Sequence, residues 1–204
     1  MSVITGIVSQ TKSKNRCNVF IDGEFSFAVS VDIVIKYGLK KDFEMSEKLK
    51  EEILFEDAKI YAFSLSTKYL SKAIKTKKQV ITYLKGKGFS DKVIFYVVDK
   101  LKDYGFIDDE EYVRRYLETY SERQGKRLAD YRLMMKGVSK KDIEKVREDF
   151  SDNSRENALK IAEKRLKNKT VDRELLSKTY RYIVGKGFSY EDAEYAISKF
   201  KESD

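Results

Sequence analysis

Between Thr67 and Ser90 stand seven lysines, Lys68, Lys72, Lys75, Lys77, Lys78, Lys85 and Lys87, without a single acid among them. Ammonium groups at this density can neutralise a polyanion, and each phosphate they meet releases condensed counterions, so binding of that kind weakens steeply with salt. Lys68, Lys72 and Lys75 follow i, i+4, i+7 spacing, which on a helix puts all three on one edge. Thr76 with Gln79 reads as a capping box, so a helix is expected to open there with Lys77 and Lys78 on its exposed first turn. Arg123, Lys126, Arg127 and Arg132 form a second, sparser cluster that could extend the same face. Tyr69, Tyr83, Tyr116 and Tyr120 lie among these cations. Such rings can stack on unpaired bases. Tyrosine at helical spacing more often packs between helices with its hydroxyl in water, and that is the preferred reading here. Lysines ordinarily coat solvated helix faces, but seven in a row with no balancing acid fit a binding face better.

Other chemistry is excluded or weak. The chain has no His, which removes a Ser-His-Asp triad and the usual zinc sites. No Gly-rich phosphate loop occurs. Asp108-Asp109-Glu110-Glu111 could hold Mg²⁺ in a nuclease, but acids also gather at helix N-termini, where the dipole and free N–H groups favour them, and no second acidic cluster stands ready to complete a site. The expectation is a non-enzymatic protein with no metal and no cofactor. The single Cys17 cannot form an internal disulfide and fits a strand as a small hydrophobe.

Composition sets the frame for these side chains. The 204 residues are 41% apolar and 37% charged, with no Pro at all, as suits a folded, largely helical protein in which nothing breaks the helices. Met1–Gln10 lacks a basic segment followed by an apolar one, and nowhere do about 18 apolar residues run together, so a cytoplasmic protein without a membrane partner is expected. The net charge of +8 favours polyanions or an acidic protein. The excess is uneven: residues 46–106 hold 13 basic and 8 acidic side chains, residues 107–150 hold 11 of each.

The elements that must position the cations are repeated. Lys87-Gly88-Phe89-Ser90 returns as Lys136-Gly137-Val138-Ser139 and as Lys186-Gly187-Phe188-Ser189. Each copy has the grammar of a helix-to-helix joint, with Gly at the left-handed C′ position and Ser capping the next helix. Asp142 and Asp192, three residues after Ser139 and Ser189, make a loose capping box. After each Gly, apolar residues recur on one helical face: Ile94, Val97 and Leu101; Ile143, Val146 and Phe150; Ala193, Ala196 and Phe200. Before each Gly stand Leu84, Leu133 and Ile183, marking a second helix, and Tyr61-Ala62, Tyr112-Val113 and Ile161-Ala162 mark a third that opens each unit. The fold class expected is mainly α, an elongated array of three tandem three-helix repeats at 46–107, 108–151 and 152–204. Units of this size bury little alone and gain stability by stacking.

Residues 1–45 read differently. Arg16–Ile21 and Glu24–Val29 alternate around Asp22-Gly23, a type I′ hairpin signal, and Val3–Ser9 supplies a third strand. A short helix near 32–37 should open at Ser30 or Val31 and stop at Gly38. This small three-stranded antiparallel module is expected to lean on the helices, because a hairpin alone is marginal.

With these features in place, residues 56–202 resemble the RecX family of recombination regulators. Gly105-Phe106-Ile107-Asp108-Asp109-Glu110-Glu111-Tyr112-Val113 is similar to the family's Gly-aromatic-Ile/Leu-Asp-Asp segment. Thr76-x-x-Gln79-Val80 followed by Leu84 and Lys87-Gly88-Phe89 is similar to its Ser-x-x-Glu-Leu…Lys-Gly-Phe segment. Lys126 stands where the family often has Pro, and residues 1–45 resemble an extension of longer members. The resemblance implies a cytoplasmic monomer that binds RecA filaments on single-stranded DNA, with duplex DNA a further candidate. It also implies lowered recombinase ATPase and strand exchange, and so a part in recombination, repair and the SOS response. A direct DNA-binding protein that competes for strands, and a helical-repeat adaptor whose lysines only confer solubility, remain the alternatives.

Overall fold

The computed structural model describes residues 2–11 and 13–201 of the chain. They group into two compact units, one made of the chain up to Lys72 together with Ile81–Phe106, the other of Ala73–Val80 together with the chain from Ile107 onward.

The first unit begins with strands β1 (Ser2–Gln10), β2 (Ser13–Ile21), β3 (Glu24–Ser30) and β4 (Glu44–Met45), ordered β3-β2-β1-β4 and antiparallel throughout. Asp22 and Gly23 both take positive φ, 50° and 91°, as a type I′ turn requires, and Ile21 faces Glu24 across it. The fourth strand corrects the expected three. Its two residues pair with Ser2 and Val3 and are too short to show any alternation in sequence. Helix α1 (Val31–Lys36) opens on Ser30, whose Oγ accepts from Ile33 N at 3.4 Å.

The sheet's buried face, Ile4, Val19, Phe27 and Val29, packs with Ile33, Leu39, Met45 and with Ile53 of helix α2 (Glu47–Leu70). Polar contacts bind the same helix to the module. Buried Asp57 accepts from Ser30 N at 2.7 Å and from Arg16 Nη2 at 3.0 Å, while Tyr37 donates its hydroxyl to Glu52 at 3.1 Å. The module thus leans on α2, as a sheet of this size must. Cys17 is buried in β2, the place of a small hydrophobe. Farther along, α2 packs against α4 (Asp91–Asp103), and Ile94, Val97 and Leu101 of α4 are all fully buried.

The second unit holds α5 (Asp109–Tyr120), α6 (Lys126–Met135) and α7 (Lys140–Glu148), then α8 (Ser154–Leu166), α9 (Arg173–Gly185) and α10 (Tyr190–Ser198). Helix α3 (Lys77–Gly86) contributes its first turn here and its remainder to the first unit. Two separate cores form. One gathers Val113, Tyr116, Leu117, Leu133, Ile143 and Val146, the other Ala158, Ala162, Ile183, Phe188, Ala193 and Ala196. Val113, Leu133, Ile143, Val146, Ala162, Ile183, Ala193 and Ala196 are the repeat positions read from the spacing, with Phe150 and Phe200 half-buried at the edges of the two cores. At the joints Gly88, Gly137 and Gly187 sit at φ 85°, 90° and 90°, the left-handed region that L side chains avoid. Ser139 and Ser189 cap α7 and α10 by accepting from the N–H of Asp142 and Asp192, whereas Ser90 makes no side-chain cap.

Candidate nucleic-acid interface

Helix α2 ends at Leu70, so Lys72 and Lys75 lie beyond it and do not share a helix edge with Lys68. This overturns the i, i+4, i+7 reading. Near that end three hydroxyls bond back onto the helix: Ser66 Oγ to Ala62 O, Thr67 Oγ1 to Ser64 O and Ser71 Oγ to Lys68 O, each near 3 Å. Such side chains compete with the backbone ladder and weaken the helix where they cluster.

Within the first unit, Tyr69 and Tyr83 stack face to face, ring centroids 4.3 Å apart and nearly parallel, and so couple the end of α2 to α3. Lys87 Nζ lies 5.6 Å from the centre of the Tyr83 ring. Lys85 is drawn to Asp91 at 3.0 Å, an exposed pair of little energetic weight. Lys68 and Lys72 are exposed and make no ion pair with any described residue. The preferred reading of the tyrosines as packing between helices holds for this pair; Tyr116 is also packed inside, in the second unit, but its hydroxyl accepts from buried Gln124 at 2.9 Å instead of reaching water.

The second unit holds Lys77 and Lys78. Thr76 and Gln79 form the expected capping box: Thr76 N donates to Gln79 Oε1 at 3.0 Å and Gln79 N to Thr76 Oγ1 at 3.2 Å. Its surroundings differ from the expectation of a free first turn. Thr76 is fully buried and donates its hydroxyl to Lys136 O at 2.7 Å, Lys77 N donates to Asp109 Oδ1 at 2.8 Å, and the stem of Lys78 lies across Gly137. The Lys78 side chain remains exposed and Lys77 partly so. A lysine can pack its methylenes and still present its ammonium to water.

The Arg123, Lys126, Arg127 and Arg132 cluster is dispersed by the fold. Arg127 Nη2 donates to Val184 O at 3.0 Å and Arg132 Nη1 to Gln124 Oε1 at 2.9 Å, so both guanidinium groups hold structure together. Lys126 faces Asp152, whose carboxyl is held below its ordinary value, first by a hydrogen bond from Ser154 and also by the charges of Lys126 and Arg147. Arg123 stands apart, exposed and unpaired among the described residues. Nor does the acidic run behave as a metal site. Asp108 caps α5 by accepting from Glu111 N at 3.0 Å, Asp109 accepts from Lys77 N, Glu110 pairs with Lys145 at 2.6 Å and Glu111 with Arg115 at 2.7 Å.

A feature that spacing alone did not reveal is the second job of the joints. The start of α3 docks on Lys136-Gly137 through Thr76 and Lys78. The start of α6 docks on Lys186-Gly187, Gly125 N donating to Lys186 O at 3.0 Å and Arg127 N to Gly187 O at 3.2 Å. Each opening turn thus finds acceptors on the following joint, and Gly is required there for close backbone approach. The signal in the sequence was the small residue at 125 with Thr at the matching position 76.

Three family models match the chain: the regulatory protein RecX N-terminal domain at residues 2–46, the first RecX three-helix domain at 62–101 and the third at 153–197. A regulatory protein RecX of Clostridium botulinum strain Alaska E43 is 35% identical over 197 residues, covering 94% of this chain and 92% of that one. The chain belongs to the RecX family. Regulatory protein RecX of Clostridium tetani is 34% identical and covers 98% of this chain and 95% of its own. A crystal structure of regulatory protein RecX superposes with a TM-score of 0.71 at 27% identity, covering 95% of this chain and 98% of that one. RecX from Lactobacillus salivarius shares the fold, with a TM-score of 0.65 at 23% identity over 72% of this chain and 98% of that one. The family is named for regulation rather than for a reaction. No helix among the described residues is long and apolar enough to cross a membrane.

Proposed function

We propose that this RecX-family chain is a cytoplasmic, non-catalytic regulator that binds RecA filaments on single-stranded DNA. It lowers recombinase ATPase and strand exchange by blocking filament growth or promoting disassembly, and so tempers recombination, repair and the SOS response. The observation that carries the proposal is likeness to RecX proteins over nearly the whole chain, combined with a lysine run from Lys68 to Lys87 that the fold leaves largely unneutralised. Lys68, Lys72, Lys77 and Lys78 have no carboxylate partner among the described residues and are free to meet acidic protein surface or phosphate. Several weak contacts on one chain add avidity along a polymer of identical subunits.

The test is a titration into a RecA ATPase reaction on single-stranded DNA, where inhibition near stoichiometric amounts is expected. Full ATPase activity at a several-fold excess of this protein refutes the reading. The unpaired lysines also favour a second reading, direct competition for DNA. Gel shifts without recombinase separate the two, because competition demands tight, salt-sensitive binding that added RecA does not change.

A further inference from the structure

Six cations converge on a cleft of about 610 Å³ in the third bundle, on the side of the second unit where α8 and α9 meet the end of α5. Arg123 comes from the turn after α5; Lys160, Lys164 and Arg165 come from α8; Lys169 follows α8, and Lys186 closes α9. Glu122 is the one acid in the lining, and none of the six cations pairs with a carboxylate of any described residue. Other cations of the same unit do find carboxylates, among them Arg147 with Asp130 at 2.6 Å, Lys145 with Glu110 at 2.6 Å and Lys178 with Glu174 at 2.6 Å. Tyr182 stands in the cleft, 40% exposed, with the Arg165 guanidinium 4.4 Å and the Lys186 ammonium 5.2 Å from its ring centre. Arg165 Nε is buried with no acceptor.

The macrodipole at the C-terminal end of α8 favours Lys164 and Arg165. It does not account for Arg123, Lys160, Lys169 or Lys186, which sit on other elements or an earlier turn. Like charges gathered from four segments repel one another unless an anion answers them. A protein partner is the poorer fit, since interface cores are depleted in lysine and protein surfaces carry both signs. A phosphodiester strand carries one sign throughout, and lysines meet its phosphates as point charges while a ring or guanidinium plane serves the bases. We propose that this cleft is a binding site for single-stranded nucleic acid, meeting phosphates through Lys160, Lys164 and Lys169 with Tyr182 and Arg165 beside the bases. The proposal deepens the filament reading by adding a strand-binding site in the third bundle, remote in sequence from the Lys68–Lys87 run.

The experiment measures anisotropy of a fluorescent oligo-dT with the full chain, without recombinase, across a salt series. The variant Lys160→Gln/Lys164→Gln/Lys169→Gln removes three exposed charges that hold nothing in the fold, so its unfolding transition should match the parent. Binding is expected to weaken at least about tenfold at low salt, and the log–log salt slope to become shallower by roughly 2, at about 0.7 for each phosphate no longer neutralised. Glu122→Gln should tighten binding about two- to threefold by removing the lone opposing charge. Unchanged affinity and slope in the triple variant overturn the proposal, as does a poly-Glu peptide that competes as well as an oligonucleotide of equal charge, which would assign the cleft to an acidic protein. RecA inhibition that fails while this oligonucleotide response persists refutes the filament reading alone.

Discussion

Gly88 and Gly187 occupy the same position of the same repeat signature and have nearly the same backbone, φ 85° and 90°, yet their replacement by Ala should have unequal consequences. Adding a Cβ in the left-handed region costs about 1–2 kcal/mol at either site. At Gly88 nothing lies within 4 Å of the new atom, so that strain is the whole expected effect. At Gly187 the new atom stands 2.5 Å from Leu128 N and 3.0 Å from Leu128 Cα, inside the opening turn of α6. Relief requires the turn to back away. That adds an overpacking cost of about 1–3 kcal/mol and loosens the bonds from Gly125 N and Arg127 N to the joint, which are worth about 1 kcal/mol each. Gly187→Ala should therefore lose about 2–3 kcal/mol more than Gly88→Ala. Urea unfolding followed by circular dichroism reads total stability, and amide hydrogen exchange at Gly125 and Arg127 reads the joint itself. Equal destabilisation by the two substitutions, or unchanged exchange at Gly125 in Gly187→Ala, would show that the joint is only a chain turn and not a docking surface.

Other expectations concern charge. Asp57→Ala leaves Ser30 N and Arg16 without their acceptor beneath the sheet and should cost about 2–4 kcal/mol, whereas an exposed Asp103→Ala control should change urea midpoints little. The Glu56 carboxyl is held below its ordinary 4.5, chiefly by the hydrogen bond from Lys59 and then by that from Lys36. Asp152 is held below its ordinary 3.8, chiefly by Ser154. Both carboxylates are depressed in the folded chain, so their contribution is complete above those values and fades as pH falls through the lowered ones. Unfolding midpoints measured from pH 7 downward should drop below about pH 4.5, and Glu56→Gln with Asp152→Asn should flatten part of that drop; an unaltered acid profile counts against these pairings. Replacing Lys68, Lys72, Lys75, Lys77 and Lys78 with Gln should make the salt slope of single-strand binding shallower by up to roughly 3.5, at about 0.7 per phosphate. A variant that binds and inhibits like the parent would leave those lysines a solubility role only.

The repeat was legible because it is written in local terms. A left-handed position needs Gly and a cap needs Ser, so Gly137, Gly187, Ser139 and Ser189 announce themselves, and the burial of Leu133, Ile143 and Ile183 follows from helical spacing. The hairpin at Asp22-Gly23 and the capping box of Thr76 and Gln79 belong to the same class, each settled by residues within three of one another. Tertiary structure decided the rest. Helix α2 stops at Leu70, where Tyr83 of α3 stacks on Tyr69, and Lys72 and Lys75 therefore leave its edge. Arg127 and Arg132 looked like free cations until Val184 O and Gln124 came within reach from other elements. Conversely, Lys160, Lys169 and Lys186 are scattered along the chain and form a patch only because α8 and α9 pack side by side. Periodicity reports which face of one helix is apolar, but whether a charge ends against a carbonyl, a carboxylate or open water is set by what a distant segment brings to it.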